Sequence, residues 1–416
     1  MKKRWLGILL ALCLLVCFAP AALAAETDSP ADPTEVYVSV TGDDTTGDGS
    51  EEKPYATLAT AVDKAQDGAT IYVMSDLTME KCARYYGKDL TITSGEGGPY
   101  TVTRGESFNM LSDNARSWYN PAMIEVGSTE GPGTASLTLT NITLDDAGRH
   151  MGEYFIQAGS DGDGNTEFGD LNINHDDIVQ DAIIATYNGT GTITLGEDAT
   201  LKNYGGMSAV RLAGGKLVMK PGSVIMDDEN LPTRTKGTTI TGAEAGLYGP
   251  AGAVWVQSGI VEMQKGSLIE NINGRVVYSD GAGSDVSIAG IIQNITGNSQ
   301  MWQGKDGSVA HIRNGSSCTL ANGCLITNDF SETSKVTGHM FSIIQENSQL
   351  RMENGAKIQN WTGAGNVFFV AGADAPNLYK CTLEIDGEIS RVNTGGNHIV
   401  QATQAIVSIK ENAYIH

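Results

Sequence analysis

The acidic insertion from Asp145 to Asp181 holds the residues whose types and spacing come nearest to a metal chemistry. Oxygen-bearing side chains recur there at every second place: Asp161, Asp163 and Asn165, then Asp170, Asn172 and Asn174, with Asp181 at the twelfth place of the second run. A hard cation such as calcium takes about six to eight oxygens and uses this alternation of ligands, closed by an acid at the twelfth place. The sharp turn of such a loop needs glycine at its sixth place, where this chain has Thr166 and His175. Calcium therefore stands beside a plainer reading, a solvated acidic turn.

Other candidates are carboxylate pairs and isolated bases. Asp43/Asp44, Asp145/Asp146, Asp176/Asp177 and Asp227/Asp228 all read as turns. Hydrolysis by two carboxyls needs them about 5 to 9.5 Å apart across a sugar, a geometry that adjacent strand residues pointing to opposite faces do not give. Lys305, Arg313 and Arg275 are candidate bases, but read as solvated charges. Trp302 and Trp361 sit in loops, where each would stack on a sugar ring or pack on its own coil.

The elements that must position these groups follow from a repeat. Paired apolar anchors recur at Ile193/Leu195, Leu217/Met219, Val261/Met263, Val286/Ile288, Cys318/Leu320, Leu350/Met352, Cys381/Leu383 and Val407/Ile409. After most of them come a small residue, an aliphatic residue and a corner residue. Ala356, Ile358 and Asn360 are one set; Ala199, Leu201 and Asn203 are another. A third short apolar run follows a glycine. Three strands per unit at a period of 20 to 50 residues predict an all-β, right-handed parallel β-helix. Asparagine suits the corners, because its amide bonds up the stack and it tolerates a tight bend.

That register assigns outward faces. In the first-strand sheet the outward residues are Thr194, Val218, Glu262, Ser287, Thr319, Arg351, Thr382 and Ser408, so its two charges lie three coils apart. In the third-strand sheet the middle positions are Trp255, Val277, Phe341, Phe368 and Ile399, with Ala310 and Arg211 in other copies. If their neighbours point inward, this column is an outward apolar stripe. Such a stripe marks a ligand groove or partner surface, with Trp255, Phe341, Phe368, Trp302 and Trp361 as binding residues.

At the N-terminus, MKKRW precedes an apolar run and Ala22-Leu23-Ala24, which predicts a signal peptide over residues 1–24. A polar leader (25–35) leads to a strand and capping helix (36–76), irregular coils with the acidic insertion (77–190), and regular coils (191–416). Pro54 is expected to open the helix, with Leu58, Ala61, Val62 and Ala65 on one face and Gly68 as its stop. The last copy ends at Ile415-His416 without a third strand, so a truncated C-terminus is expected.

The stretch TGDDTTGDGSEEKPYATLATAVDKA followed by GATIYV resembles the N-terminal signature of secreted right-handed parallel β-helix proteins of the pectin-lyase-like superfamily, as found in bacterial surface proteins. The resemblance implies the fold. It leaves activity open, because that superfamily spans lyases, hydrolases, epimerases and non-catalytic modules. Its glycosidases carry N-T-D and G-H-G motifs, where this chain has Asn393-Thr394-Gly395 and Gly338-His339-Met340. Its lyases use an Arg or Lys base beside acidic calcium ligands on the first-strand sheet, a face that here separates Glu262 from Arg351.

A net charge of −22 disfavours nucleic acid as a partner. No second apolar run is long enough to span a membrane once the signal is removed. Four cysteines remain then: Cys82, Cys318, Cys324 and Cys381. They are read as buried thiols rather than a disulfide framework. The sequence thus predicts a secreted or cell-surface, monomeric, adhesin-like module that binds a polysaccharide or a surface protein, with calcium as its one candidate cofactor. The alternative is a polysaccharide lyase or related carbohydrate-active enzyme.

Overall fold

Short alternating runs bounded by glycine and asparagine form strands here because each pairs in parallel with the equivalent run one coil away. The structure, a computed structural model, describes residues 34–106, 108, 122–127, 134–148, 182–205, 208–228, 252–296, 307–328, 338–345, 347–372 and 380–416. Within Ala182–Leu195 only the backbone is described at 187–190.

Each regular coil supplies three strands, and their inward residues build three unbroken columns. In the first-strand sheet the column runs Leu195, Met219, Met263, Ile288, Leu320, Met352, Ile385 and Ile409. In the second it runs Leu201, Ile225, Ile269, Ile292, Ile326, Ile358, Ile389 and Ile415. In the third it runs Val210, Val254, Val277, Ala310, Phe341, Phe368 and Val400. Together with the first coils, nearly all of these side chains join one buried core. This is a parallel β-helix. Ala182–Leu195, Ser208–Met219 and Val254–Met263 run from the third strand of one coil into the first strand of the next. Among the described residues, hydrogen bonding therefore links those two walls into one 19-stranded sheet, with the second strands in an 11-stranded sheet.

The corner after the second strand behaves as its sequence predicts. Asn203, Asn271, Asn294 and Asn360 are left-handed, as is Arg391, the one departure from asparagine among these left-handed corners. Asn294 Nδ2 donates to Asn271 Oδ1 at 3.2 Å, one rung along the stack. Asp227 and Asn328 take another route, accepting backbone N–H groups of Asn273 (2.9 Å) and Ile295 (2.8 Å). The small-residue column is set by space. At Gly387 a Cβ would lie 2.5 Å from the Ala356 carbonyl oxygen of the coil below.

The helix is Leu58–Lys64, four residues shorter at its start than Pro54 suggests, because Thr57 caps it. Thr57 Oγ1 accepts from Thr60 N–H, while Asp44 accepts from the N–H groups of Ala56 and Thr57. Asp43 accepts from Thr45 and Thr46, and Asp48 from Ser50. The aspartates of the N-terminal signature thus hold a loop and a helix cap. Leu58, Ala61 and Val62 bury into the first coils, as a cap should.

The first-strand register needs one correction. Leu383 and Ile385, not Cys381 and Leu383, pair with Leu350 and Met352, so Glu384 takes the outward place assigned to Thr382. Cys381, Leu383 and Ile385 are all buried, so a period-two pattern fits two registers equally well. The observed one sets Arg351 Nε 3.3 Å from Glu384, which also meets Lys410 at 3.1 Å.

Of the other expectations, the signal peptide, the seven calcium-type residues Asp161, Asp163, Asn165, Asp170, Asn172, Asn174 and Asp181, and Trp302 and Lys305 lie outside the described residues. No group of three or more His, Cys, Asp or Glu side chains suited to a metal occurs among the described residues. No described helix is long and apolar enough to cross a membrane. Cys318, Cys324 and Cys381 are free thiols, with burial pushing Cys318 up to about 12 and Cys381 up to about 11.

Candidate binding face on the third-strand sheet

The third strands begin with two consecutive inward residues at the corner, such as Val276-Val277, Met340-Phe341 and Val367-Phe368. Alternation resumes only afterwards. The outward column is therefore Arg211, Trp255, Tyr278, His311, Ser342, Phe369 and Gln401, each paired with the next. The sequence places Arg211 and Trp255 correctly. It is one residue short at Val277, Ala310, Phe341 and Phe368, and two short at Ile399. The expected apolar stripe does not form on this sheet, because Phe341 and Phe368 are fully buried and stack on each other in the core, centroids 5.2 Å apart. Trp361 is likewise a core residue rather than a loop platform; its strand, Lys357–Thr362, carries it inward past the Asn360 corner.

The true column is polar and aromatic, and its neighbours add to it. Before the corner stand Arg275, Ser308, His339, Asn366 and His398; after it stand Gln257, Asp280 and Arg313. Arg275 and Arg313 are not the solvated charges the sequence suggests. The Arg275 guanidinium lies over the Tyr278 ring at 5.0 Å and donates to the Gly307 carbonyl at 3.2 Å. Arg313 Nη1 donates to the Tyr278 hydroxyl at 3.1 Å, and its Nε lies 3.6 Å from Asp280. Arg211 lies over the Trp255 ring at 5.3 Å and donates to Gln257 at 3.0 Å.

Ring orientation decides what this face can offer. Tyr278 stacks on His311 at 5.3 Å and 15°, and His339 stacks on Phe369 at 4.5 Å and 5°. These rings pile in parallel along the rungs, with each partner covering one face of the other. His311 is buried, so what remains for a ligand is the edges of the partly exposed Tyr278, His339 and Phe369: a phenol, an imidazole nitrogen and aromatic C–H groups. Burial, then the nearby Arg275 and Arg313 charges, hold His311 neutral well below the ordinary histidine range. Burial alone lowers His339. Burial raises Tyr278 above the usual phenol value, with Arg313 opposing it.

At its C-terminal end the face is organised by Asn366, which is buried. Its Oδ1 accepts the His398 backbone N–H at 2.9 Å. Its Nδ2 donates to Gln401 Oε1 at 2.6 Å, and its backbone N–H donates to His339 Nδ1 at 3.1 Å. His339, Asn366, Phe369 and Gln401 were not foreseen as site residues. Their one sequence signal is a polar residue before each apolar run of these coils.

The other two walls are plainer. The first-strand face carries Lys216 paired with Glu262 at 2.6 Å and the Arg351–Glu384–Lys410 ladder. The second-strand face has a half-buried aliphatic row, Val224, Leu268, Ile291 and Leu325.

No protein-family model matches this chain, and no curated relative matches its sequence. Among solved structures it is similar to the GH136 lacto-N-biosidase from Eubacterium ramulus. The native protein is 10% identical, with 90% of this chain and 68% of that chain covered and a TM-score of 0.39. The selenomethionine derivative is 12% identical over the same shares, with a TM-score of 0.40. A complex of XylC with xylose is 10% identical, covering 86% of this chain and 69% of that chain, with a TM-score of 0.26. At those scores the likenesses carry no argument about activity, and the fold rests on the strand registers.

Proposed function

We propose that this chain is a secreted or surface-exposed β-helix module that binds extracellular carbohydrate along the outer face of its third-strand sheet. One observation carries the reading: between Arg211 and Gln401 the partly exposed Gln257, Asp280, Arg313, His339 and Gln401 set amide, carboxylate, guanidinium and imidazole groups beside the edges of Trp255, Tyr278 and Phe369, backed by buried Arg211, Arg275, His311 and Asn366. Sugars present hydroxyls and C–H patches together, and sites that recognise such ligands combine aromatic surface with a few placed polar groups. The first- and second-strand faces carry ion-pair ladders and aliphatic rows instead. The leader over residues 1–24 and the N-terminal signature support export and a place among pectin-lyase-like surface proteins.

A glycan array probed with the wild-type chain and a Gln257→Ala/Asp280→Ala variant tests this. Binding to at least one glycan class is expected, weakened about tenfold in the variant, as loss of one to two hydrogen bonds would give. A blank array beside capture of a surface protein would move the role to protein adhesion.

A second reading, a polysaccharide lyase, rests on Tyr278. Its hydroxyl accepts from Arg313 and lies 3.3 Å from Asp280 Oδ2. In the β-elimination of such an enzyme, a phenol kept protonated by burial can give its proton to the leaving sugar oxygen as the C–O bond breaks, with the neighbouring Asp280 carboxylate as the base that takes the proton from the carbon next to the uronate carboxyl. Release of unsaturated uronic ends from a panel of polyuronates, abolished by Tyr278→Phe, would establish it. Absence of ultraviolet absorbance from every polymer would remove it.

A further inference from the structure

We infer that the C-terminal end of this face is a donor-only subsite for an uncharged sugar, formed by His339 Nε2–H and the Gln401 amide NH2 on either side of Phe369; the inference rests on the carbohydrate reading of the face. The argument starts from one obligatory donor. The His398 backbone N–H can only donate, so the Asn366 side-chain atom 2.9 Å away must be its oxygen. That fixes Asn366 Nδ2 on the other side, where it donates to Gln401 at 2.6 Å. The Gln401 atom receiving it must be Oε1, so the Gln401 NH2 is turned away from Asn366. The Asn366 backbone N–H, a second obligatory donor, points at His339 Nδ1 at 3.1 Å. Nδ1 must then be the unprotonated nitrogen, and the neutral ring carries its hydrogen on Nε2.

Neither His339 Nε2 nor the Gln401 amide nitrogen makes a hydrogen bond among the described residues. Gln401 is exposed and His339 partly so. His339 stacks flat on Phe369, and Gln401 is the next residue after Phe369 in the outward column. The two side chains therefore flank one aromatic edge from strands two rungs apart, and Asn366 Nδ2, 3.2 Å from His339 Nδ1 and 2.6 Å from Gln401 Oε1, lies between them.

Two neutral donors without an acceptor partner among the described residues call for a ligand that brings acceptor oxygens next to an apolar patch. Hydroxyl, ring or carbonyl oxygens of an uncharged sugar meet that demand. A carboxylate or sulfate fits less well, because neither donor carries a charge and the whole chain stands at −22.

The test is an array of neutral and acidic glycans probed with the wild-type chain, Gln401→Glu and the face variant Gln257→Ala/Asp280→Ala. Glutamate can still accept from Asn366, but presents an acceptor where the wild type presents a donor. The inference expects binding to neutral glycans, reduced at least tenfold by Gln401→Glu. Binding confined to acidic glycans would overturn it. So would neutral binding that the Gln257/Asp280 variant weakens and Gln401→Glu leaves intact, which would keep the face and discard the subsite. A blank array would overturn the face reading and this inference together. Independently of any ligand, nitrogen-15 NMR of the full chain should show His339 as the Nε2–H tautomer at neutral pH; the Nδ1–H form would refute the assignment.

Discussion

His311 lies buried on Tyr278, close to the guanidiniums of Arg275 and Arg313, and its environment has a thermodynamic consequence. Its folded pKa is depressed, so below about pH 6.5 the unfolded chain takes up a proton that the folded chain refuses. Its contribution to stability is complete above that pH and declines as the pH falls beneath it. Urea titrations from pH 7.5 to 5 should therefore show a steeper loss of stability in the wild type than in His311→Gln; parallel curves would contradict the burial. Another buried group is the Arg104–Asp146 ion pair, both side chains without exposure, in which Asp146 also accepts the Gly205 N–H at 2.6 Å. Arg104→Met leaves that carboxylate without its cation and should cost about 3–5 kcal/mol in urea denaturation. A loss under 1 kcal/mol would show the pair to be dispensable. The sequence suggested a turn for Asp145/Asp146, since nothing local reveals that Arg104, forty-two residues earlier, supplies the partner.

Among the elements, the second strand was the most legible and the third the least, for a definable reason. A second strand holds its inward aliphatic residue between a small residue and an asparagine corner, so Ile269, Ile326 and Ile358 can be aligned in one way only, and they do share one column. A third strand enters with two inward residues in succession, so Met340-Phe341 and Val367-Phe368 defeat a period-two reading and hide Phe369 and His339. The first strand was legible except where Cys381, Leu383 and Ile385 offered two equivalent registers. The corner itself gives a prediction. Asn271 is left-handed, φ 56°, so Asn271→Gly should be near neutral, while Asn271→Val should lose about 1–2 kcal/mol by thermal or urea unfolding. Equal stability of the two variants would contradict the corner geometry.

On the scale of the whole molecule, the two ends of the stack differ. The helix Leu58–Lys64 buries its apolar face against the first coils, whereas the coil containing Ala405–Ile409 and Tyr414–Ile415 exposes Ile406, Val407, Ile409, Tyr414 and Ile415. Along the sides, the walls divide the work, with ladders of ion pairs on one and the aromatic, hydrogen-bonding columns on another. Hydroxyl-radical footprinting, with and without a glycan selected on the array, tests that division most directly. The account predicts protection of Trp255, Tyr278, His339 and Phe369 on binding, with the stacked pair Tyr37 and Tyr72 on the first-strand side unchanged. Protection of Tyr37 and Tyr72 with the third-strand face untouched would contradict it.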